Sequence, residues 1–197
     1  MQLIVSSIRR SARFFIGLGL LASLSAMADD AGLLDEARKV ASAVPPKLLQ
    51  VLSTEIAQNG IAAAVGVCNE KAPQMAKAAS EQTGWAIRRV SLRNRNPKAV
   101  PDAWERSALE EFDRRASAGE SPATLEKSAL VEEAGRKEFR YMKALPVQQL
   151  CLGCHGSSET IPTDAAAKIH TLYPDDKAVG YALGQIRGAM TIRKAQP

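Results

Sequence analysis

The sequence predicts an α+β fold, because helical and strand patterns occupy separate parts of its 197 residues. Apolar residues recur at helical spacing over 32–58, over 61–68 and again after residue 101. Strand patterns are confined to three separated segments, 85–92, 139–145 and 188–193. A run of helices at one end with separated strands elsewhere favours an α+β fold over a helical bundle or a parallel sheet.

The first 28 residues have the pattern of an export signal. Three arginines precede an apolar run over 14–28, which ends in the small-x-small pattern that signal peptidases cleave. The alternative is an uncleaved membrane anchor, but the run is shorter than the roughly 20 apolar residues that cross a bilayer. We therefore expect cleavage after Ala28, a periplasmic location and a mature protein without a membrane span.

Residues 29–197 are expected to form one domain, since their number suits a single hydrophobic core. The whole chain carries a net charge of +5, and three basic residues belong to the predicted signal, so the mature charge is only +2. This balance gives no reason to expect nucleic-acid binding. The sequence has no obvious serine–histidine–acid arrangement, phosphate-binding loop or paired catalytic carboxylates, and we expect no enzymatic activity.

The helix predicted over 32–58 contains Pro45 and Pro46. They are expected to kink or divide it, because proline removes a hydrogen-bond donor and clashes with the preceding turn. The next helix carries Cys68 on its apolar face, shortly before Pro73 interrupts the pattern. Pro73 can begin a further short helix at its first position.

The segment after Pro101 predicts an amphipathic helix over 102–117. Its apolar stripe consists of Trp104, Ala108, Phe112 and Ala116. We therefore expect Trp104 and Phe112 to pack inward against the predicted sheet.

The most specific pattern in the chain is Cys151-Leu-Gly-Cys154-His155. Two thiols separated by two residues can add to the two vinyl groups of a haem, and the imidazole that follows can coordinate the iron. Two alternatives fit less well. A structural zinc site would need a second pair of Cys or His ligands, and the sequence has no such pair. A thioredoxin-like dithiol would open a helix in a βαβ unit, and this region lacks that pattern. The pattern thus predicts one covalently attached haem c, with thioether bonds at Cys151 and Cys154 and His155 as the proximal axial ligand.

The second axial ligand remains open from the residue types alone. The candidates are Cys68, His170, Met75, Met142 and Met190. Methionine or histidine ranks above cysteine, because these are the usual partners in electron-carrying haem c proteins. A lone cysteine on an apolar helical face is more often an inert buried thiol. However, three cysteines are an odd count for an exported protein, and the haem motif leaves Cys68 unexplained.

Short stretches spread over residues 60–193 occur in a characteristic order. They lie at 64–68, 72–73, 89–97, 101–105, 151–156, 161–162, 173–174, 176, 178–181 and 184–188. Through them the chain resembles a family of PAS-like, single-haem c domains, found alone in the periplasm or as the sensing portion of histidine kinases and chemoreceptors. The resemblance implies an antiparallel sheet flanked by helices, with haem near one side. It also implies His/Cys axial ligation, which corresponds here to His155 and Cys68 as the distal ligand.

For function, the resemblance implies redox or small-gas sensing, with an unidentified redox or signalling protein as partner. The alternative is an electron-transfer cytochrome that serves an exported oxidoreductase. Arginines that can pair with haem propionates occur in two places, although most such runs are simply solvated faces. One or two arginines of the basic run Arg88, Arg89, Arg93, Arg95 and Lys98 are candidates, and Arg187 and Arg193 near the third predicted strand are similar candidates.

Overall fold

A computed structural model of the chain describes the backbone of residues 19–197 and the side chains from residue 31 onward. Most of the predicted export signal therefore lies outside the described residues. The predicted cleavage point after Ala28 falls within the first described helix, and cleavage remains a prediction. Residues 34–197 form one compact unit.

The N-terminal part of the described chain is helical. Helix α1 spans Gly19–Asn59, α2 spans Ile61–Gly66, a π-helical turn spans Val67–Lys71, and α3 spans Ala72–Thr83. The helical stretch Ala31–Thr83 passes a length-and-composition test for a membrane span, with a mean hydropathy of 1.2 in its most apolar window. The core helix of a soluble protein passes the same test.

The predicted division of the first helix at Pro45 and Pro46 is wrong, since α1 is continuous through both residues. Packing upstream of the prolines offers a physical reason. Ala37 and Ala41 are almost completely buried there, and they anchor the helix at the point where backbone hydrogen bonds are lost.

Four antiparallel strands form the sheet in the order β1-β4-β3-β2. Strand β1 spans Ala86–Val90, β2 spans Glu126–Glu133, β3 spans Arg136–Pro146 and β4 spans Ile186–Gln196. The predicted α+β class is thus confirmed, and three of the strands correspond to the predicted ones. The sequence patterns missed β2, an edge strand that joins β3 through a tight hairpin. Ala134 and Gly135 both have positive φ in this hairpin, at 52° and 72°.

Helix α4, Ala103–Ser117, covers one face of the sheet. Asp102 caps it by accepting a hydrogen bond from the backbone N–H of Glu105, whose carboxylate bonds back to the N–H of Asp102. Phe112 is fully buried between this helix and the sheet, and Trp104 packs at the margin of the same core.

The opposite face of the sheet carries α1 and the site described below. Strand alternation decides which side chains reach each face. Arg89 pairs with Met190 in the β1–β4 ladder, whereas the next pair, Val90 and Ala189, belongs to the core under α4. Two short helices complete the fold, α5 at Leu152–His155 and α6 at Thr163–Leu172.

Candidate functional site

The Cys-x-x-Cys-His motif lies on two consecutive tight turns. Cys151 ends a 3₁₀ turn, Gln149–Cys151, and the single helical turn α5 follows directly with Cys154 and His155. Residues three and four positions apart in a helical turn project from one side. The local backbone therefore presents both thiols and the imidazole to the same cavity.

This cavity has two adjoining lobes, of about 140 and 400 Å³. Residues shared by both lobes are Cys68, Arg89, His155, Arg187 and Met190, with Val44 and Leu48 of α1. The smaller lobe is also lined by Cys151 and Cys154. Together the lobes have the size of a site for a cofactor-sized ligand. The structure thus brings all four predicted site residues, Cys68, Cys151, Cys154 and His155, to one cavity.

Apolar residues of α1 form the wall of the smaller lobe. They are Val44, Pro45, Leu48, Leu49, Leu52 and Ile56. The sequence showed these residues only as a helical stripe, and the stripe gave no sign that it faces a ligand site. Such a wall suits the flat, apolar face of a large organic ligand.

The orientation of His155 is fixed by a backbone acceptor. Its Nδ1 donates to the carbonyl oxygen of Ala178 at 2.6 Å, which leaves the lone pair on Nε2. Burial lowers the pKa of His155 to about 2, and the positive charges of Arg187 and Arg95 act in the same direction. The ring is therefore neutral at physiological pH, and neutral imidazole is the form that binds metals.

Backbone hydrogen bonds from the segment 178–181 also fix the main chain at His155 and Gly156. Gly180 N–H donates to the carbonyl of Gly156 at 2.6 Å, and Tyr181 N–H donates to the carbonyl of His155 at 2.8 Å. The Tyr181 ring meets the imidazole edge-on, with 6.3 Å between the ring centroids. Sequence reasoning did not identify Ala178, because a backbone carbonyl has no residue-type signature.

Burial disfavours the thiolate form of two of the cavity thiols. Burial raises the pKa of Cys68 even though Arg89, Arg95 and Arg187 oppose the shift. Burial likewise raises the pKa of Cys154 to about 11. A thiol of this kind is inert until a metal or an electrophile takes it up, and metal binding then releases its proton.

The structure separates the candidates for a second axial ligand. Cys68 and Met190 line both lobes. Met142 is fully buried in the core under α4, on the other face of the sheet. His170 is exposed on α6, and Met75 lies half-buried on α3 outside the walls of both lobes. Geometry therefore leaves one thiol and one thioether as candidates.

The arginines also divide into two groups. Most of the sequence-predicted candidates already have partners. Arg88 pairs with Glu105, and Arg95 pairs with Asp176. Arg193 lies 3.8 Å from Glu138, and Arg93 donates to the backbone carbonyls of residues 177 and 179. Arg89 and Arg187 have no carboxylate within 4 Å among the side chains that the structure describes, and both line the two lobes.

Burial makes the position of Arg187 costly. Its side chain is only 6% exposed, and burial, the largest cause, lowers its pKa to about 9. The guanidinium donates to Ser91 Oγ at 2.9 Å and to the Arg93 carbonyl at 3.2 Å, both of them neutral acceptors. A buried cation with no carboxylate within 4 Å among the described side chains favours an anionic group on whatever fills the cavity.

The model of the Tll0287-like family matches residues 22–195 of the chain. The crystal structure of the cyanobacterial heme-protein Tll0287 is similar, with a TM-score of 0.61 and 24% sequence identity over 86% of this chain and 96% of that chain. At this identity the likeness concerns the fold alone. No curated protein matches the chain.

Proposed function

Because the chain belongs to the Tll0287-like family, we propose that it is a periplasmic, single-haem c-type cytochrome with a PAS-like fold. Cys151 and Cys154 hold the haem covalently, and His155 and Cys68 are its axial ligands. Its role is redox or small-gas sensing. The observation that carries this proposal is that the Cys-x-x-Cys-His motif and Cys68, which are distant in sequence, line one cavity.

The residues around the cavity fit the chemistry of haem c. Each motif thiol can add its S–H bond across one vinyl C=C bond, so that sulfur and hydrogen end on the two carbons. His155 offers a neutral Nε2 whose orientation is fixed by the Ala178 carbonyl. Arg89 and Arg187 suit the two propionates, and the α1 wall suits the macrocycle. The related Tll0287 protein is called a heme-protein, in agreement with this assignment.

Haem bound here would supply one-electron redox chemistry and, after loss of an axial ligand, a position for a small gas. The chain's part would be to offer the His155 imidazole and the Cys68 sulfur to the iron. A Cys68 thiolate would bring a negative charge to the iron and would favour the ferric state. If reduction weakened that bond, its loss would change the packing around the π-helical turn that carries Cys68. Such a ligand change suits a switch better than a fast electron carrier.

Electron transfer is the second candidate function, and the position of Met190 favours it. Met190 lines both lobes of the cavity, so its thioether is the alternative to the Cys68 thiol. His/Met ligation is usual in electron-carrying cytochromes c and raises their potential. In that case the protein would serve an exported oxidoreductase. Under either function we expect no enzymatic activity, no nucleic-acid partner and no membrane span in the mature protein.

The proposal is tested by producing the full chain in an exporting host with haem-attachment machinery. The purified protein should retain its haem through denaturation and acid–acetone extraction. The double variant Cys151→Ala/Cys154→Ala should lose that retention, whereas the matched Cys68→Ala variant should keep it. Haem that extracts freely from the unaltered protein would rule out covalent attachment.

A further inference from the structure

The Ala178 carbonyl, which accepts a hydrogen bond from His155, belongs to a residue that is itself held in place by the Asp176 carboxylate. Asp176 Oδ1 accepts a hydrogen bond from the backbone N–H of Ala178 at 2.8 Å. The Ala178 carbonyl then accepts from His155 Nδ1 at 2.6 Å. The turn at 176–178 therefore connects the Asp176 side chain to the imidazole through a single residue.

Arg95 connects the same carboxylate to the motif. Its Nη2 donates to Asp176 Oδ2 at 2.9 Å and to the carbonyl oxygen of Cys154 at 2.7 Å. The two side chains are only 8% and 10% exposed. Together these bonds form a closed ring: Arg95 holds Cys154, the neighbour of His155, and Asp176 holds the residue to which His155 donates.

Stability alone does not account for this arrangement. A buried ion pair contributes about as much as a well-packed apolar pair, because desolvation of the charges offsets their attraction. Arg95 Nε is also buried without a hydrogen-bond partner in the described part of the chain. The guanidinium thus gives up one hydrogen bond while its Nη2 makes two. What the pair gains is a fixed geometry around the histidine.

We propose that Arg95 and Asp176 are positioning residues that set the orientation and basicity of the axial His155. This inference rests on the proposed function, since it concerns the ligand of a bound haem. Partners of the distal histidine nitrogen orient a metal-bound ring and raise its basicity. A strong bond from Nδ1 to a fixed carbonyl makes the imidazole a better donor to ferric iron, and the reduction potential falls.

The test compares Asp176→Asn with Asp175→Asn, a matched control at the neighbouring exposed carboxylate. Asn at 176 still offers an oxygen to the Ala178 N–H but loses the charge that holds Arg95. In the haem-loaded ferric protein, the His155 Nδ1 proton should exchange with deuterated water at least tenfold faster. The reduction potential should rise, and the iron–imidazole stretching frequency should fall. Asp175→Asn should change none of the three.

Two further variants keep the test decisive. Asp176→Glu retains the charge and should recover part of the slow proton exchange. Arg95→Gln should likewise speed the exchange of the His155 Nδ1 proton, and the effect of the double variant with Asp176→Asn on this exchange should be less than the sum of the two. If Asp176→Asn fails to fold, Asp176→Glu and Arg95→Gln still compare proton exchange and potential with the unaltered protein.

The outcomes distinguish this inference from the proposed function. The positioning role alone would be overturned by two results together. The unaltered protein would carry covalent haem ligated by His155, and the variants would match Asp175→Asn in proton exchange and reduction potential. An unaltered protein that takes up no haem would overturn both.

Discussion

Arg187 Nε lies 3.3 Å from Nδ1 and 3.4 Å from Nε2 of His155. Nδ1 already donates its proton to Ala178, so it cannot also accept one from the guanidinium. The approach to Nε2 places a cation beside the nitrogen assigned to iron. The nearly equal distances show that the guanidinium nitrogen lies between the two ring nitrogens and not on the line of the Nε2 lone pair, so the cation would stay close to an iron bound there.

Replacing Arg187 with Gln should therefore lower the reduction potential. Removal of a buried cation next to the haem favours ferric iron, and we expect roughly a tenfold change in the reduction equilibrium, or about 59 mV for one electron. Arg193→Gln is the matched control, because Arg193 lies on the same strand but its side chain is 45% exposed. Potentiometric titration measures both, and equal potentials in the two variants would contradict the role of Arg187.

Replacing Cys68 with Ser should raise the potential and remove the charge-transfer band of a ferric thiolate complex. The thiolate contributes a full negative charge that the variant lacks. Met190→Leu should leave the ferric spectrum unchanged. Absorption and electron paramagnetic resonance spectra measure the ligation, and carbon monoxide added to the reduced protein tests for an open position. The reverse pattern, with only Met190→Leu altering the spectrum, would favour electron transfer.

Glu105→Gln should destabilise the fold by about 3 kcal/mol, because Glu105 is 1% exposed and anchors several donors. It accepts hydrogen bonds from Arg88 and from Thr191 Oγ1, the latter at 3.0 Å, and it lies 3.5 Å from Arg140. Glu110→Gln, at an exposed position of the same helix, should change the stability little. Urea denaturation measures the difference. The haem spectrum should change little, since no residue of α4 lines either lobe of the cavity.

The contribution of Glu126 should depend on pH. Its hydrogen bond from Arg38 lowers its pKa, and burial opposes the shift, while Tyr141 donates a second bond at 2.7 Å. A lowered pKa means that the unfolded state binds more protons on acidification, so this stabilisation exists above about pH 4.5 and disappears below it. Glu126→Gln should thus cost about 1 kcal/mol at pH 7. Melting temperatures of variant and parent should converge near pH 3, and a constant difference across this range would contradict the assignment.

The strands show which parts of the fold can be predicted from local sequence patterns. Strands β1, β3 and β4 were predicted because their composition or apolar alternation marks them as strands. Strand β2 was missed because charged residues stand at both its ends, as on many protected edge strands. Its pairing with β3 supplies the stability that its own pattern does not indicate. Residues 32–58 were correctly predicted to be helical, but packing outweighed the two prolines.

The site was predictable to a similar extent. The motif could be read directly because its chemistry depends on local spacing. Cys68 could be named only through the family resemblance, since residue types alone favoured methionine or histidine. The α1 wall, the Ala178 carbonyl and the ranking of the arginines depend on tertiary placement. Arg88 and Arg89, for example, are adjacent in sequence, but Arg88 pairs with Glu105 and Arg89 has no carboxylate partner among the described side chains.

The position of β4 in the sheet sets the order in which this protein can assemble. It is the last described strand in the chain, but it lies between β1 and β3 and supplies Arg187 and Met190 to the cavity. A chain that emerges from its N-terminus can form α1 to α4 and the β2–β3 hairpin early. The centre of the sheet must wait for the final eleven-residue strand. Its contacts are far apart in sequence, which slows folding and delays closure of the cavity. If haem is attached as proposed, there would be a period in which the motif is present and one wall of the cavity is still open.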